Sequence, residues 1–342
     1  MKKILVLTEN FPPIEGGSSR WFWELYSRLS PETTVVVTQD STVGIDFDRS
    51  QHMNIERMSL SCTEWGFRSV KGLMFYWRCF WQIRRLVKKH NIEEIHCGRV
   101  IHEGVTAWLL KMFLGIPYIC YVHGEDVETA ATSREQSLLV KQVCKNSRYL
   151  ICNSNNTANL VSILGFSSID HCRILHPGVD LKKFTPAPSN NEFRKSMQWK
   201  DKVVLLTVGR LQRRKGQDFM IKAMAELVKI YPSLLYSIVG QGECFEELSG
   251  LVTDLKLENH VQIHTNLGDK DLIKCYQQCD LFILPNRTIG NDIEGFGMVL
   301  VEAQACGKGV VAGSSGGTSE TMERDVTGKI IDCSSVTSII DG

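Results

Sequence analysis

The sequence contains no apolar run of about 18 residues, the length that a membrane-spanning helix requires. Its start, MKKILVLTENFPP, has two lysines followed by an apolar run that is too short for a signal peptide. Charge of neither sign is in excess, with 39 basic and 38 acidic residues. Overall charge therefore gives no support to nucleic-acid binding. These absences predict a cytoplasmic protein, with no nucleic acid among its partners, whose function depends on local sites.

Common nucleotide-binding and metal-binding spacings are also missing. Neither G-x-G-x-x-G nor G-x-x-x-x-G-K-[ST] occurs, which argues against nicotinamide dehydrogenases and P-loop nucleotidases. There are twelve cysteines, but the closest pair, Cys275 and Cys279, has no second pair or histidine cluster to complete a zinc site. We interpret the cysteines as reduced thiols.

Short apolar runs alternate with helical patterns along the whole chain. In the first half, the predicted strands are 4–8, 34–38, 92–96, 116–124, 148–154 and 173–178. In the second half they are KVVLLTVGR, LLYSIVGQG, HVQIHTN, DLFILPN, GVVAG and GKIID. This alternation predicts parallel sheets covered by helices on both faces. A length of 342 residues favours two such domains.

The boundary between the domains is predicted from a change in composition. The segment 185–201, TPAPSNNEFRKSMQWKD, is polar and proline-containing and has little periodicity, as is typical of a linker. We therefore place the domains at 1–186 and 187–342. Doubly wound sheets bind ligands outside the carboxyl ends of their strands, so we expect the site in a cleft between the two domains.

Two glutamates stand in the apolar and glycine-rich stretch 292–313. The run 298–306 is apolar on nearly all sides, which predicts a buried helix, and Glu302 lies inside it. Glu294 comes before the turn formed by Gly295, Phe296 and Gly297. A helix N-terminus beside glycine lets backbone N–H groups approach a phosphate. A phosphate-bearing ligand between two carboxylates is therefore expected.

Other polar or glycine residues follow predicted strands. They are Gly16, Gly17, His123, Arg210, Lys215, Gly240 and Gly242. Each has an ordinary structural alternative: a solvated basic turn, a tight glycine loop, or a histidine that only makes a structural hydrogen bond. Considered together, they fit a diphosphate that bridges the two domains.

These motifs resemble the signature of the family 4 retaining glycosyltransferases, which have the GT-B fold of two Rossmann-like domains. The resemblance rests on Glu294 and Glu302 with seven residues between them, and on PPxxGG, VHGED, HPGVD, GRLQRRKG, VGQGE and GGTSE. It covers almost the whole chain. ILPNRT followed by DIEGFGMVLVEAQACG is similar to bacterial mannosyltransferases that act on phosphatidylinositol mannosides.

The resemblance implies a role for each matching residue of the second domain. Arg210 and Lys215 match the basic pair that contacts the diphosphate of a nucleotide sugar. Glu302 matches the carboxylate that binds the ribose hydroxyls. Glu294 matches the carboxylate that orients the donor hexose together with the amides of the turn 295–297.

Further implied roles concern the two glycine turns and the histidine. Gly240 and Gly242 belong to the donor site. His123 matches a histidine near the reacting face of the donor sugar. Gly16 and Gly17 match the loop that meets the phosphate and the acceptor.

The resemblance also implies the chemistry. The anomeric configuration is retained, and the leaving phosphate assists deprotonation of the acceptor without a metal or other cofactor. The donor is GDP-mannose or a UDP-hexose, with mannose favoured, and the acceptor is a saccharide or is lipid-linked. Relatives continue with further helices beyond this chain's last residues, so short or missing C-terminal helices are expected. Two alternatives stay open, a non-catalytic sugar-nucleotide-binding subunit and a sugar-nucleotide 2-epimerase.

The acceptor side offers one further signal, a helical pattern over 72–90. Its predicted apolar stripe is Leu73, Tyr76, Phe80, Ile83 and Val87, and its second face carries Trp77, Arg78, Trp81, Arg84, Arg85, Lys88 and Lys89. Tryptophan among basic residues is typical of a helix on an anionic bilayer, here the inner face of the membrane. An ordinary solvated basic face is an equal alternative.

Overall fold

The structure of the protein is a computed structural model that describes residues 2–14, 16–64 and 66–342. The chain divides after Pro177 into two compact units. This division precedes the predicted boundary at residue 186. Phe184 explains the difference, because its buried ring belongs to the core of the second unit and lies 5.8 Å from that of Tyr276.

The first unit contains a seven-stranded parallel sheet in the order β3-β2-β1-β4-β5-β6-β7. Its strands are β1 (Ile4–Thr8), β2 (Thr34–Gln39), β3 (Asn54–Met58), β4 (Glu94–Cys97), β5 (Tyr118–Val122), β6 (Leu150–Cys152) and β7 (Cys172–Ile174). Six of these strands confirm the prediction from apolar runs. Strand β3 was missed because most of its side chains are polar and half-buried, as expected at a sheet edge.

Helices cover this sheet and bury its aliphatic side chains. They are α1 (Gly17–Tyr26), α2 (Gly44–Ser50), α3 (Val70–His90), α4 (Val105–Leu114), α5 (Glu125–Ala131), α6 (Arg134–Asn146) and α7 (Asn155–Ile163). The register places Val6 of β1 between Val36 of β2 and His96 of β4. Parallel pairing throughout brings the carboxyl ends of all these strands to one edge.

Helix α3 confirms the helix predicted over 72–90. Its buried face includes Tyr76, Ile83 and Val87, as predicted. Leu73 departs from the predicted stripe, because it is 51% exposed and Phe75 is buried in that turn instead. The tryptophans and most of the basic residues of the second face are exposed. None of the helices in the described ranges is both long and apolar enough to cross a membrane.

The second unit contains a six-stranded parallel sheet in the order β10-β9-β8-β11-β12-β13. Its strands are β8 (Val203–Val208), β9 (Leu234–Val239), β10 (Val261–His264), β11 (Leu281–Leu284), β12 (Val310–Gly313) and β13 (Gly328–Ile331). Its helices are α8 (Asn191–Ser196), α9 (Gln217–Ile230), α10 (Phe245–Asp254), α11 (Asp269–Gln278), α12 (Met298–Ala305) and α13 (Val336–Asp341). All six predicted strands are confirmed.

Alternate residues of the second sheet enter two separate cores. Along β9, Leu235 and Val239 pack into one core, whereas Tyr236 and Ile238 pack into the other. Because strand side chains alternate between faces, the sheet is covered on both sides. Both units are therefore doubly wound parallel α/β domains, as the sequence predicted.

The segment 191–201 is packed structure, although its composition predicted a linker. It contains α8 and buries Phe193 and Trp199, whose ring centroids lie 5.9 Å apart. The guanidinium of Arg194 donates to the carbonyl oxygens of Trp199 and Lys202, at 3.2 and 2.7 Å. The burial of these two aromatic side chains makes the segment part of the second domain. Its polar composition and lack of periodicity gave no indication of this packing.

Candidate functional site

The loop that follows β8 carries the basic residues of the second unit. Leu211 anchors it: its side chain is buried, and its N–H donates to the carbonyl of Gln241 at 2.8 Å. A single turn of 3₁₀ helix then runs over Arg213–Lys215. Because the loop is held at Leu211 and tightens at this turn, neighbouring basic residues point in different directions. Arg210 and Arg213 are exposed, whereas Arg214 and Lys215 are buried.

The carboxylate of Glu294 forms ion pairs with the two buried cations. Lys215 Nζ lies 2.5 Å and Arg214 Nη1 lies 2.7 Å from the same oxygen, Glu294 Oε2. Arg214 also contacts Asp292, with 3.0 Å between Nε and Oδ1. Burial alone would raise the pKa of Glu294, but the charges of Lys215 and Arg214 hold it at about 2. The carboxylate is therefore ionised at neutral pH.

The backbone of Glu294 is fixed by the second glycine cluster. Its N–H donates to Ser315 Oγ at 3.4 Å, and its carbonyl accepts from the N–H of Gly317 at 2.9 Å. Gly316 has a φ of +58°, and a Cβ there would collide with the same carbonyl. Glycine is thus required at residue 316. The motif SSGGTSE serves to position the carboxylate that the sequence had singled out.

Helix α12 begins directly after this carboxylate and carries the second glutamate. Gly297, with a φ of +97°, precedes the helix, and Phe296 is buried beneath the turn. Glu302 is buried inside the helix, and its Oε2 accepts a hydrogen bond of 2.7 Å from the hydroxyl of Tyr276. The structure thus confirms a largely buried helix, a carboxylate at its mouth and a second carboxylate within it. In both glutamates the side-chain oxygen Oε2 has a protein partner.

Gly240 and Gly242, which were predicted at the donor site, pack against the basic loop. A Cβ on Gly240 would collide with the carbonyl of Gly209, and one on Gly242 would collide with the backbone of Leu211. Gly240 also has a φ of +156°. These glycines let two strand-end loops touch backbone to backbone. Their structural role is to let the loop that carries the buried cations pack closely against the loop that follows β9.

His123 occupies the end of β5 in the first unit. Its Nε2 lies 2.8 Å from the carbonyl oxygen of Gly98, which can only accept, so Nε2 carries the proton. Burial lowers the pKa of His123 and keeps the ring neutral. Nδ1 is then an acceptor, 3.4 Å from the hydroxyl of Ser18. The rings of Trp21 and Phe22 each stand edge-on to it at 5.7 Å.

Gly16 and Gly17 lie at the start of α1 and directly precede Ser18. Gly16 has a φ of +146° and precedes the helix, and a Cβ there would meet no atom within 4 Å. Gly17 is the first helical residue. The glycine pair therefore begins the helix in which Ser18 lies beside the imidazole of His123. The structure places these residues together within the first unit. Within the second unit it brings Lys215 into contact with Glu294, whereas Glu302 contacts Tyr276.

Four residues of the site were not predicted from the sequence: Arg214, Tyr276, Asp292 and Ser315. Three consecutive basic residues, 213–215, were visible, but only the turn geometry decides which of them are buried. Tyr276 has no motif around it, and its contact with Glu302 spans 26 positions of sequence. Within the described residues there is no group of three or more potential metal ligands from histidine, cysteine, aspartate and glutamate. Independence from metals stays a prediction.

Comparisons with known proteins identify the family of the chain. The family described as Glycosyltransferase Family 4 matches residues 15–183, and that described as Glycosyl transferases group 1 matches residues 189–342. The chain belongs to the family 4 glycosyltransferases and is an enzyme of that class. This membership argues against the epimerase and the non-catalytic subunit.

Among its relatives, the chain is similar to mannosyltransferases of phosphatidylinositol mannosides. It is 28% identical to the GDP-mannose-dependent alpha-(1-6)-phosphatidylinositol monomannoside mannosyltransferase of Mycolicibacterium smegmatis, over 98% of this chain and 87% of the relative. It is 29% identical to the enzyme of Corynebacterium glutamicum that acts on the monoacylated substrate, over 98% and 86%.

Solved structures confirm the GT-B fold. HepE of Anabaena, in complex with UDP and glucose, superposes with a TM-score of 0.82 at 20% identity, covering 100% of this chain and 88% of the other. WaaG, a glycosyltransferase involved in lipopolysaccharide biosynthesis, gives 0.70 at 17% identity, covering 99% and 88%. At these identities the likeness concerns the fold alone.

Proposed function

We propose that the protein transfers a mannosyl residue from GDP-mannose to a lipid-linked acceptor, with retention of the anomeric configuration. The observation that carries this proposal is the buried, ionised Glu294, held by Lys215 and Arg214 immediately before the N-terminus of α12. An ionised carboxylate accepts hydrogen bonds from sugar hydroxyls. A helix N-terminus with a cation beside it suits a diphosphate.

In this proposal the donor binds along the residues of the second domain. The exposed guanidinium of Arg210 and the ammonium of Lys215 contact the diphosphate, and Glu302 accepts from the ribose. As the bond to the anomeric carbon breaks, negative charge grows on the leaving phosphate, and these fixed cations stabilise it. The leaving phosphate oxygen receives the acceptor's proton, so no second carboxylate is required as a base.

His123 has a limited set of chemical options in this reaction. Its Nε2 proton is engaged by the carbonyl of Gly98, so Nδ1 is the ring atom suited to accept a hydrogen bond from a sugar hydroxyl. A neutral ring also adds no positive charge where oxocarbenium character develops. We assign His123 a role in orienting substrate and no proton transfer.

The lipid-linked acceptor is supported by an exposed surface on α3 and α4, called here the α3–α4 surface. It contains Val70, Leu73, Met74, Trp77 and Trp81 from α3, and Met112, Phe113 and Leu114 from α4. The two helices are joined by contact between the rings of Phe80 and Phe113, whose centroids lie 5.8 Å apart. Helix α3 has no acidic residue and carries Lys71, Arg78, Arg84, Arg85, Lys88 and Lys89. This combination favours an anionic bilayer, on the cytoplasmic face where nucleotide sugars are available.

Transfer is tested with GDP-mannose and vesicles that contain phosphatidylinositol monomannoside, and the product anomer is read by NMR. We expect an α-linked mannosyl product from the α-linked donor, and calorimetric binding of GDP that is tighter than that of UDP. A β-linked product would overturn retention. Preference for UDP, with transfer from UDP-glucose, would overturn the choice of donor.

Membrane binding is tested by sedimentation with vesicles containing phosphatidylglycerol. Each basic residue near such a surface contributes about 1 kcal/mol, and added salt weakens this attraction. We expect the variant with Arg84, Arg85, Lys88 and Lys89 changed to glutamine to stop sedimenting while it still binds GDP. A matched control changes Lys222, Lys229, Lys256 and Lys270 of the second domain to glutamine and should sediment normally. Wild-type protein that stays in the supernatant at low salt would contradict the membrane proposal.

A further inference from the structure

Glu103 is a buried carboxyl that the proposed reaction leaves without a task. It lies in the short helical turn after β4, and only 2% of it is exposed. Its Oε1 accepts a hydrogen bond of 2.8 Å from the backbone N–H of Glu9. Its Oε2 is fully buried and has no hydrogen-bond partner in the part of the chain that the structure describes. A buried carboxyl with one donor needs an explanation.

The position of Glu103 in the fold supplies an explanation for this buried carboxyl. Strands β1 and β4 are neighbours, and the strand order of the first sheet reverses between them. Ligands of doubly wound sheets bind at such a switch point, outside the carboxyl ends of the strands. Glu9 directly follows β1, and Arg99 is the second residue after β4. Glu103 thus lies beneath the point where a ligand of the first domain is expected.

Glu9 and Arg99 are partly exposed and lie side by side. Arg99 Nη1 is 4.0 Å from Glu9 Oε2, and the side chains are 31% and 27% exposed. The side-chain oxygen of Asn10, when turned toward the guanidinium, lies 3.3 Å from Arg99 Nε. A carboxylate accepts hydrogen bonds, a guanidinium donates them and an amide does both. This set suits the neighbouring hydroxyl groups of a polyol or sugar.

The surroundings of Glu103 favour its protonated form. Burial raises its pKa to about 7, although the charge of Arg99 opposes this shift. Tyr76 and Cys79 of α3 face it, His102 precedes it, and Glu9 adds a second negative charge. Helices α5 and α6 contribute Val127, Ala130, Val140 and Val143 to this core. Loss of the proton would place two carboxylates beside the single cation of Arg99.

We propose that Glu103 is a positioning residue that holds Glu9 and Arg99 as a hydroxyl-binding pair for the acceptor. This inference rests on the proposed transferase function and extends it to the acceptor site. When Glu103 is protonated, Arg99 pairs with Glu9 and both stay at the surface. When Glu103 ionises, it competes with Glu9 for Arg99, and acceptor binding weakens.

The experiment measures KM for vesicles containing phosphatidylinositol monomannoside, with GDP-mannose, between pH 5.5 and 8.5. We expect the wild-type KM to rise about tenfold across neutral pH. E103Q keeps an acceptor for the N–H of Glu9 but cannot ionise, so its KM should stay flat. E103L lacks that acceptor and should show a high KM at every pH. E32Q, which alters an exposed carboxylate of the same domain, should follow wild type.

Two further measurements separate failure of this inference from failure of the proposed function. Binding of GDP, measured by calorimetry, should be the same in all four proteins. Thermal unfolding needs no substrate: relative to E103Q, wild type should lose stability as pH rises from about 4.5 to about 7, because the folded state holds the proton more tightly. If no mannosyl transfer occurs yet this loss appears, the transferase proposal fails and the proton-holding role stands. Equal pH profiles of KM in wild type and E103Q would overturn the inference.

Discussion

Glu294 in the second domain and Glu103 in the first are both almost completely buried carboxyls, yet their charges differ. Two cations meet one oxygen of Glu294 and hold its pKa at about 2. Glu103 has one backbone donor and the more distant charge of Arg99, and its pKa lies at about 7. Burial raises the pKa of both carboxyls, and the partners of Glu294 reverse this shift. A buried glutamate is therefore a fixed anion in one domain and a proton-holding acid in the other.

The largest expected effect is on folding. Changing Glu294 to leucine leaves Lys215 and Arg214 buried near each other, although Arg214 keeps its contact with Asp292. Removal of one partner from a buried ion pair costs about 3–5 kcal/mol. Urea unfolding should show this loss in the free energy of unfolding. The matched variant Asp271→Leu, which removes an exposed i,i+3 ion pair with Lys274, should lose less than about 1 kcal/mol.

Acid titration provides a second test of the difference in charge between Glu294 and Glu103. The depressed pKa of Glu294 contributes stability above its usual value near 4.5, and this is lost as pH falls toward about 2. The difference in stability between wild type and E294Q should therefore shrink as pH falls from about 4.5 to about 2. The difference between wild type and E103Q should change between pH 4.5 and 7, in the opposite sense. If both differences change over one pH range, the assigned charges of the two glutamates are wrong.

An intermediate effect is expected for the donor phosphates. Lys215→Ala and Arg210→Ala should each weaken binding of GDP more than binding of guanosine, since a hydrogen bond to a charged group contributes about 1.5–3 kcal/mol. Calorimetry with both ligands measures the difference. Arg213→Ala is the matched control, because Arg213 is exposed in the same loop and contacts Glu247. Equal losses for guanosine and GDP would exclude the diphosphate assignment.

The smallest expected effect separates the two glutamates of the second domain. Tyr276→Phe removes the hydroxyl that donates to Glu302, at a cost of about 1 kcal/mol, and should weaken GDP binding roughly fivefold. Glu302→Ala should weaken it further. Glu294→Ala should leave GDP binding nearly intact and depress transfer, because Glu294 is assigned to the hexose. Identical binding defects in both glutamate variants would contradict this division.

The fold was largely readable from the sequence, because apolar strands separated by helical patterns leave few alternative topologies. Twelve strands were found from apolar runs, and β3 was missed because three of the five residues of NIERM are polar and only Met58 is buried. The residues of the candidate donor site were also named from sequence motifs, and their roles stay a prediction. Their partners were not named, because the choice of Arg214 over Arg210 as the buried cation depends on where one turn tightens after Leu211.

The Glu103 site was invisible in the sequence for a related reason. A single glutamate in RVIHEG resembles many solvated residues, and nothing nearby indicates that its carboxyl is buried. The contact that gives it meaning, to the N–H of Glu9, spans 94 positions of sequence. Sequence patterns report the periodicity of one element, whereas a buried polar contact depends on how two strands align.

The burial of the cysteines allows selective chemical labelling of the protein. All twelve are free, and eleven of them are buried. Burial raises the pKa of thiols such as Cys275 and Cys279 to about 12, so these sulfurs stay protonated and shielded from reagents. Cys62 alone is partly exposed, and it lies shortly before α3. A maleimide fluorophore should therefore label the native chain at one place, in the segment that leads into α3, without any engineered cysteine.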